Sequence, residues 1–261
     1  MTRRRFYAPP SNFNSTRDSV TLQPDEARYL RDVLRLNVGS EVYVFNGEGK
    51  EFHCRVEESR RETARLEVIG EVAPARPESP LQLTLAVALL TGEKFDLVVQ
   101  KATELGVTRV IPVATKLADI RLRDTSDAEK RVARWQRIAL EASKQSGRAV
   151  APRITSPLKF ESLLKGNGDN REHAIVQSGS YRLLFSERDG QSLAEMKAAL
   201  PANLSRLTAL VGSEGGWTNE ELAAARHAGW SIITLGGRTL RAETAAIAVT
   251  VLLQHLFGDL S

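Results

Sequence analysis

Beyond Pro80 the chain alternates apolar runs of strand length with amphipathic segments of helix length, and few architectures accept that alternation. LQLTLAVALL leads to EKFDLVVQKATEL, and VTRVIPVAT to a long basic helix from Asp127 to Gly147. Then come EHAIVQ, a helix near Ser192 to Leu200, RLTALVG, TNEELAAARHAG, WSIITLGG and ETAAIAVTVLLQHLF, with the polar KGNGDNRE of Lys165 to Glu172 read as a surface loop. Strands joined by crossover helices pair in parallel, and a parallel sheet has to be covered on both faces. Residues 81–261 are therefore expected to form an α/β domain.

The first 73 residues follow another rhythm. EVYVFNG, KEFHCRVE and TARLEVIGEV alternate apolar and polar residues at period two, with NGEG and ESRRE between them, and predict hairpins. Ahead of them PDEARYLRDVLRL spaces Ala27, Leu30, Val33 and Leu34 as one face of a short helix ending near Asn37 to Gly39. A small mostly-β domain over 1–73 is expected, joined to the second by the proline-rich APARPESP of residues 73–80.

A chain of 261 residues with 42 % hydrophobic and 26 % charged residues can bury a sizeable core, which excludes disordered and collagen-like classes. Its longest apolar runs fall far short of the roughly 18 residues a membrane span needs, so no membrane partner is expected. One cysteine, Cys54, permits no internal disulfide, and MTRRRFYAPP has no apolar signal stretch, so the cytoplasm is the expected location. The net charge of +4 is mild, but it is clustered. Arg3, Arg4, Arg5 and Arg17 face no acid within the first 17 residues, and Lys116 to Arg153 holds ten basic residues against five acidic, Arg134 and Arg148 among them. Clustered arginine favours a polyanion, and Arg3, Arg4, Arg5, Arg134 and Arg148 are the candidate RNA contacts. Solvated helix faces would give the same pattern.

Two glycine-bearing loops each follow an expected strand and open a helix: VGSEGGWTNEE and LGGRTLRAETA. Ligands of open α/β sheets sit at the carboxyl ends of strands, where such loops gather. Thr218 and Glu221 form a capping box for the helix after the first loop. In the second, Arg241 could donate to developing negative charge, while Glu243 could cap the helix, orient that arginine or act as a base. The chain has no G-x-G-x-x-G, no P-loop and no G-x-S-x-G, and His53, His173, His227 and His255 are too scattered for a metal site, so no metal is expected.

Taken in order, RRFY, YLRDVLRL, GEKFDLVVQKATELGV, RWQRIALEASKQSGR, GSEGGWTNEE, LGGRTLRAETA and the terminal FGDL resemble the ribosomal RNA small subunit methyltransferase E family, of the SPOUT class, almost end to end. The resemblance implies a PUA-like β-barrel that helps hold RNA, and a C-terminal parallel-sheet domain tied in a deep trefoil knot. It implies a homodimer that binds S-adenosyl-L-methionine in the knot and methylates N3 of a uridine of 16S rRNA in the assembled small ribosomal subunit. Carried over residue by residue, Gly212, Glu214, Gly215 and Gly216 fall in the first cofactor loop. Leu235, Gly236, Leu240, Arg241, Glu243 and Thr244 fall in the second, with Leu235 and Leu240 flanking the adenine. Ser213 stands where the family commonly has proline, which predicts a looser loop, and IVQSGSYR matches the family poorly. Arg241 is the first candidate to stabilise the uracil anion and Arg5 the second, with Glu214, Glu243 or a water taking the proton. The rival readings are an RNA-binding protein without a cofactor, and the same fold acting on transfer RNA or a ribose hydroxyl.

Overall fold

The computed structural model of the chain describes residues 3–120, 124–165, 180–201 and 203–260. The chain folds into two compact units, Met1–Glu78 with Leu140–Ala151, and Ser79–Ala139 with Pro152–Ser261.

The first unit is a curled five-stranded sheet. Its strands are β1 (Arg5–Tyr7), β2 (Ser19–Leu22), β3 (Glu41–Phe45), β4 (Glu51–Ser59) and β5 (Ala64–Val72), in the order β1-β3-β4-β5-β2. Only β1 and β3 run parallel. Alternation decides the faces: Phe52, Cys54 and Val56 of β4 point into a core shared with Phe6, Leu22, Val42, Val44 and Leu66, while Arg55 and Glu57 face solvent. Irregularities in the β4–β5 register at His53/Cys54 and Val56/Glu58 bend the ribbon. The expected short helix is present as α1 (Pro24–Arg28), continued by a π turn over Tyr29–Val33, and it closes the core with Ala27 and Leu30.

Residues 140–151, which the sequence pattern assigns to the second domain, group with this first unit. The cause is a buried polar junction. The Arg5 guanidinium donates to the carbonyls of Ser143 at 3.1 Å, Lys144 at 2.8 Å and Arg148 at 2.8 Å, and pairs at 3.1 Å with Glu51, which is fully buried. Glu51 also accepts from Arg3 at 3.0 Å and from the Ala75 amide at 3.0 Å.

The second unit is a parallel sheet with helices on both faces. Its strands are β6 (Gln82–Ala88), β7 (Arg109–Ala114), β8 (Arg153–Ile154), β9 (Leu158–Lys159), β10 (Tyr181–Phe185), β11 (Gln191–Ser192), β12 (Arg206–Val211) and β13 (Ser231–Thr234). They lie in the order β11-β13-β10-β12-β6-β7-β8, with β9 also on β7, and every pair is parallel. The helices are α2 (Lys94–Glu104), α3 (Thr125–Ser146, whose last turns belong to the first unit), α4 (Phe160–Lys165), α5 (Leu193–Ala199), α6 (Asn219–His227) and α7 (Ala242–Phe257). Leu83, Leu85, Leu207, Ala209, Leu183 and Ile233 pack toward α2, α3 and α7. Ala86, Leu210, Leu184 and Ile232 face α4 and α6 from the other side. Period-two alternation in strands buried on both sides explains why they read as unbroken apolar runs.

YRLLF, which no strand expected from the sequence covers, forms β10 and pairs with both β12 and β13; of IVQSGSYR only Ser180, Tyr181 and Arg182 are among the described residues. The expected strand EHAIVQ, His173 and all of KGNGDNRE except Lys165 lie outside the described residues. Among the described residues no helix is long and apolar enough to cross a membrane.

Candidate active site

Because β13, β10 and β12 are neighbours, the loops leaving their carboxyl ends converge. They enclose a cleft of about 390 Å³ lined by Ser186 and Glu187 after β10, by residues 212–217 after β12, by residues 235–240 after β13, and by Ala242, Ala245 and Val249 of α7. Gly212, Glu214, Gly215, Gly216, Leu235, Gly236 and Leu240 all line it. Thr244 lies on the first turn of α7 and is not among the lining residues.

Each loop is fixed from below. The Trp217 indole donates to the Phe185 carbonyl at 2.9 Å, joining the first glycine loop to the end of β10. Arg188 donates to the Trp217 carbonyl at 2.9 Å and to Asn219 at 2.8 Å. The capping box is present in full, with the Glu221 amide donating to Thr218 Oγ1 at 3.2 Å and Thr218 N to the Glu221 carboxylate at 3.0 Å. Gly215 is pressed against the 115–120 segment, where a Cβ would stand 2.9 Å from the Leu117 carbonyl oxygen. Gly236 takes φ +75° with open space where a side chain would project, which keeps its backbone uncovered along the cleft.

Ser213, where the family commonly has proline, brings hydrogen bonds of its own to the loop. Its hydroxyl donates to the Leu117 carbonyl at 3.1 Å, and its own carbonyl accepts from Gly216 N at 3.0 Å. The serine replaces a ring constraint with a hydrogen bond to a segment about a hundred residues away in the chain.

Of four charged residues on or next to these loops, Glu214 lines the cleft, whereas Lys94, Arg241 and Glu243 are not among its lining residues. Lys94, at the start of α2, pairs with Glu214 at 2.6 Å. Burial pushes the Glu214 carboxyl up, but the hydrogen bond from Lys94 and a backbone amide outweigh it and hold the group below the ordinary carboxylate range. The same hydrogen bond raises the Lys94 ammonium above its usual value, with Glu214 and Glu243 adding to the effect through their charge and Arg241 opposing it. Arg241 is exposed at the N-cap of α7 and makes no side-chain hydrogen bond there. Glu243 is half-buried, and its Oε2 is buried without a partner.

The arginines chosen from charge alone fare differently. Arg5 and Arg148 are 7 % and 4 % exposed, and their guanidiniums are committed inside the first unit, Arg148 to Glu78 at 3.1 Å. Both guanidiniums are thus engaged within the first unit, Arg5 with the buried Glu51 and Arg148 with the part-exposed Glu78, which speaks against the roles expected of them as RNA contacts and, for Arg5, as a stabiliser of substrate charge. Arg3 bonds Glu51 and the Ala73 carbonyl, and Arg134 pairs with Asp96. Arg4 is exposed, and no side-chain hydrogen bond or ion pair ties it to another of the described residues. Sequence reasoning missed Lys94, although it lies in the GEKFD motif, and Glu187, whose strand it did not assign.

A parallel α/β unit with its glycine-loop cleft and a curled sheet unit in one chain define an RNA methyltransferase: a family model for the RNA methyltransferase domain matches residues 77–254, and one for the RNA methyltransferase PUA domain matches residues 22–69. Among curated relatives, the ribosomal RNA small subunit methyltransferase E of Synechocystis is 32 % identical over 94 % of this chain and 75 % of that protein. The chain belongs to the ribosomal RNA small subunit methyltransferase E family. The crystal structure of the Neisseria gonorrhoeae enzyme bound to S-adenosyl methionine is 31 % identical, covers the whole of both chains and superimposes with a TM-score of 0.83. A Legionella pneumophila methyltransferase in complex with the same cofactor is 27 % identical over 99 % of this chain and 100 % of that one, with a TM-score of 0.84.

Proposed function

We propose that this protein binds S-adenosyl-L-methionine in the cleft and methylates N3 of a uridine of 16S rRNA in the assembled small ribosomal subunit. It works as a cytoplasmic homodimer, with Val251 of α7 and Leu97 of α2, exposed at 38 % and 40 %, in the strip a second copy would cover. The observation that carries the reading is the convergence of three loops on one cleft whose walls suit this cofactor. Leu235, Leu240, Val211 and Val249 offer apolar surface for an adenine, the backbone at Gly236 and Gly237 is open to read its edge, and the Glu187 and Glu214 carboxylates suit a cationic sulfonium. When bound, the cofactor supplies an electrophilic methyl group and leaves as a neutral thioether.

This chain's residues handle the proton and the charge. Uracil N3 is protonated and becomes a nucleophile only when that proton leaves and the negative charge spreads onto the flanking carbonyl oxygens. Glu214, ionised and bonded to Lys94, is a poor acceptor. Glu243 has an unpartnered oxygen and takes the proton, and Arg241, with no competing side-chain bond, stabilises the anion. Arginine stays protonated and cannot itself accept the uracil proton.

Calorimetric titration with S-adenosyl-L-methionine tests the pocket, with Gly236→Val as the control that should abolish binding while circular dichroism stays unchanged. Mass spectrometry of 16S rRNA from treated small subunits then tests the base and atom. A folded wild type that binds no cofactor, alone or with small subunits, overturns the reading.

A further inference from the structure

Among the described residues that line the cleft, three carry charge: the acids Glu187 and Glu214, and one cation, Arg238. The carboxylates are held at the wall by what lies behind them. Glu214 is paired with Lys94 at 2.6 Å. Glu187 lies against the bare backbone of Gly216, which takes φ +68° and where a Cβ would stand 3.0 Å from the Glu187 Oε1. The guanidinium of the next residue, Arg188, reaches Glu187 Oε1 only at 3.5 Å and spends its closer bonds on the Trp217 carbonyl at 2.9 Å and Asn219 at 2.8 Å.

Arg238 is presented by a turn. Gly236 and Gly237 both take left-handed φ, +75° and +79°, and Arg238 N donates to the Gly236 carbonyl at 3.1 Å, so the chain reverses sharply just ahead of the arginine. The side chain is left exposed at the cleft, and it makes no hydrogen bond or ion pair with any of the described residues, although two carboxylates line the same space. A cleft that holds charges of both signs without letting them pair offers each of them to a ligand.

S-adenosyl-L-methionine carries the same set with the signs reversed: the sulfonium and the α-ammonium are its cations, and the α-carboxylate is its one anion. We infer that Arg238 binds the α-carboxylate of the cofactor and makes the protein selective for the amino-acid end of its ligand. The inference rests on the cofactor reading of the cleft. The planar fork of arginine meets both oxygens of a carboxylate with parallel N–H donors. Glu187 and Glu214 repel that group, and Arg241 does not line the cleft. The apolar walls accept an adenosine whatever its tail, so discrimination among adenosyl compounds falls to these three charges.

The test is calorimetry of the full-length protein with S-adenosyl-L-methionine and with its decarboxylated analogue, which keeps the sulfonium and the amine and lacks the carboxylate. The wild type should prefer the first by about tenfold or more, the worth of a hydrogen bond between charged groups. Arg238→Ala should erase the preference, weakening S-adenosyl-L-methionine by about that factor while the affinity for the analogue stays within about twofold. Arg238→Lys, a cation without the fork, should keep part of it. A wild type that binds the two ligands equally overturns the inference, as does an Arg238→Ala variant that loses affinity for both alike or for neither. A variant that keeps the preference but binds 16S rRNA more weakly, with a flatter salt dependence, assigns the guanidinium to a phosphate and overturns it as well. Each of these leaves the cofactor reading intact. Wild-type protein that binds neither ligand, alone or with small subunits, defeats that reading itself.

Discussion

The Lys94 ammonium stands 2.6 Å from Oε1 of Glu214, so the first turn of α2 holds the tip of the first glycine loop across 120 residues of sequence. Both partners are about one-third exposed, which makes this a positioning contact rather than a store of stability. Its consequence is chemical: a carboxylate whose proton affinity is lowered by its lysine and a backbone amide is a weak base. Glu243→Gln is expected to lower the rate of methyl transfer by about 10² to 10⁴ at neutral pH, the usual contribution of a general base. Glu214→Gln should act mainly on cofactor affinity. Single-turnover rates beside calorimetric affinities separate the two, and a Glu214→Gln enzyme that loses turnover but keeps affinity would reverse the assignment.

The pH dependence of cofactor binding follows from the same pair. Glu214 is depressed in the folded protein, so its ion pair is fully formed above the ordinary carboxylate range and is lost as pH falls through the lowered value. Lys94 is raised, so the pair survives to higher pH than a free lysine would allow and is lost only above the raised value. Calorimetry should show affinity flat from mildly acid to mildly alkaline pH and falling at the acid end. In Lys94→Met the acid fall should begin at higher pH, because Glu214 then regains a more ordinary titration.

Ser213→Ala removes the hydroxyl that donates to the Leu117 carbonyl and leaves a part-buried acceptor unpaired. The expected cost is about 1 kcal/mol, read as a roughly fivefold weaker cofactor affinity if the loop is ordered only with its tether. An unchanged affinity would mean that Gly215 against Leu117 and the Ser213–Gly216 turn suffice to hold the loop.

These tests also mark how far the sequence was legible. The βαβ alternation outside EHAIVQ, the period-two hairpins, the Thr218–Glu221 capping box and the two glycine loops are local patterns, and among the described residues each appears where the residues predict it. What sequence could not supply is non-local. β10 has only LLF as a buried run behind an exposed Tyr181, so its place between β12 and β13, and hence Glu187 at the cleft, depends on sheet order. Arg5 and Arg148 read as free charge because composition counts cations without their acceptors. Glu51 and Glu78 lie tens of residues from them in the chain, and the helix carbonyls that Arg5 also serves are not residues' charges at all.

The junction around Arg5 makes the last prediction. Truncating Arg5 takes from the fully buried Glu51 its buried cation, leaving it Arg3 and the Ala75 amide, and takes a donor from three carbonyls; breaking a buried pair in this way costs up to about 3 to 5 kcal/mol, more than any exposed arginine should cost. Arg5→Ala should lower the urea midpoint sharply while leaving the salt slope of RNA binding unchanged, because the guanidinium never faces solvent. Cys54 supplies the readout. It is fully buried in the core of the first unit, and burial pushes its thiol up to about 12, so it should resist a thiol reagent at pH 8 in the native protein. Labelling then reports opening of the sheet beneath the junction, and Arg5→Ala should speed it by orders of magnitude where Arg4→Ala does not. Equal labelling rates in the two variants would show that the buried pair does not hold the unit closed.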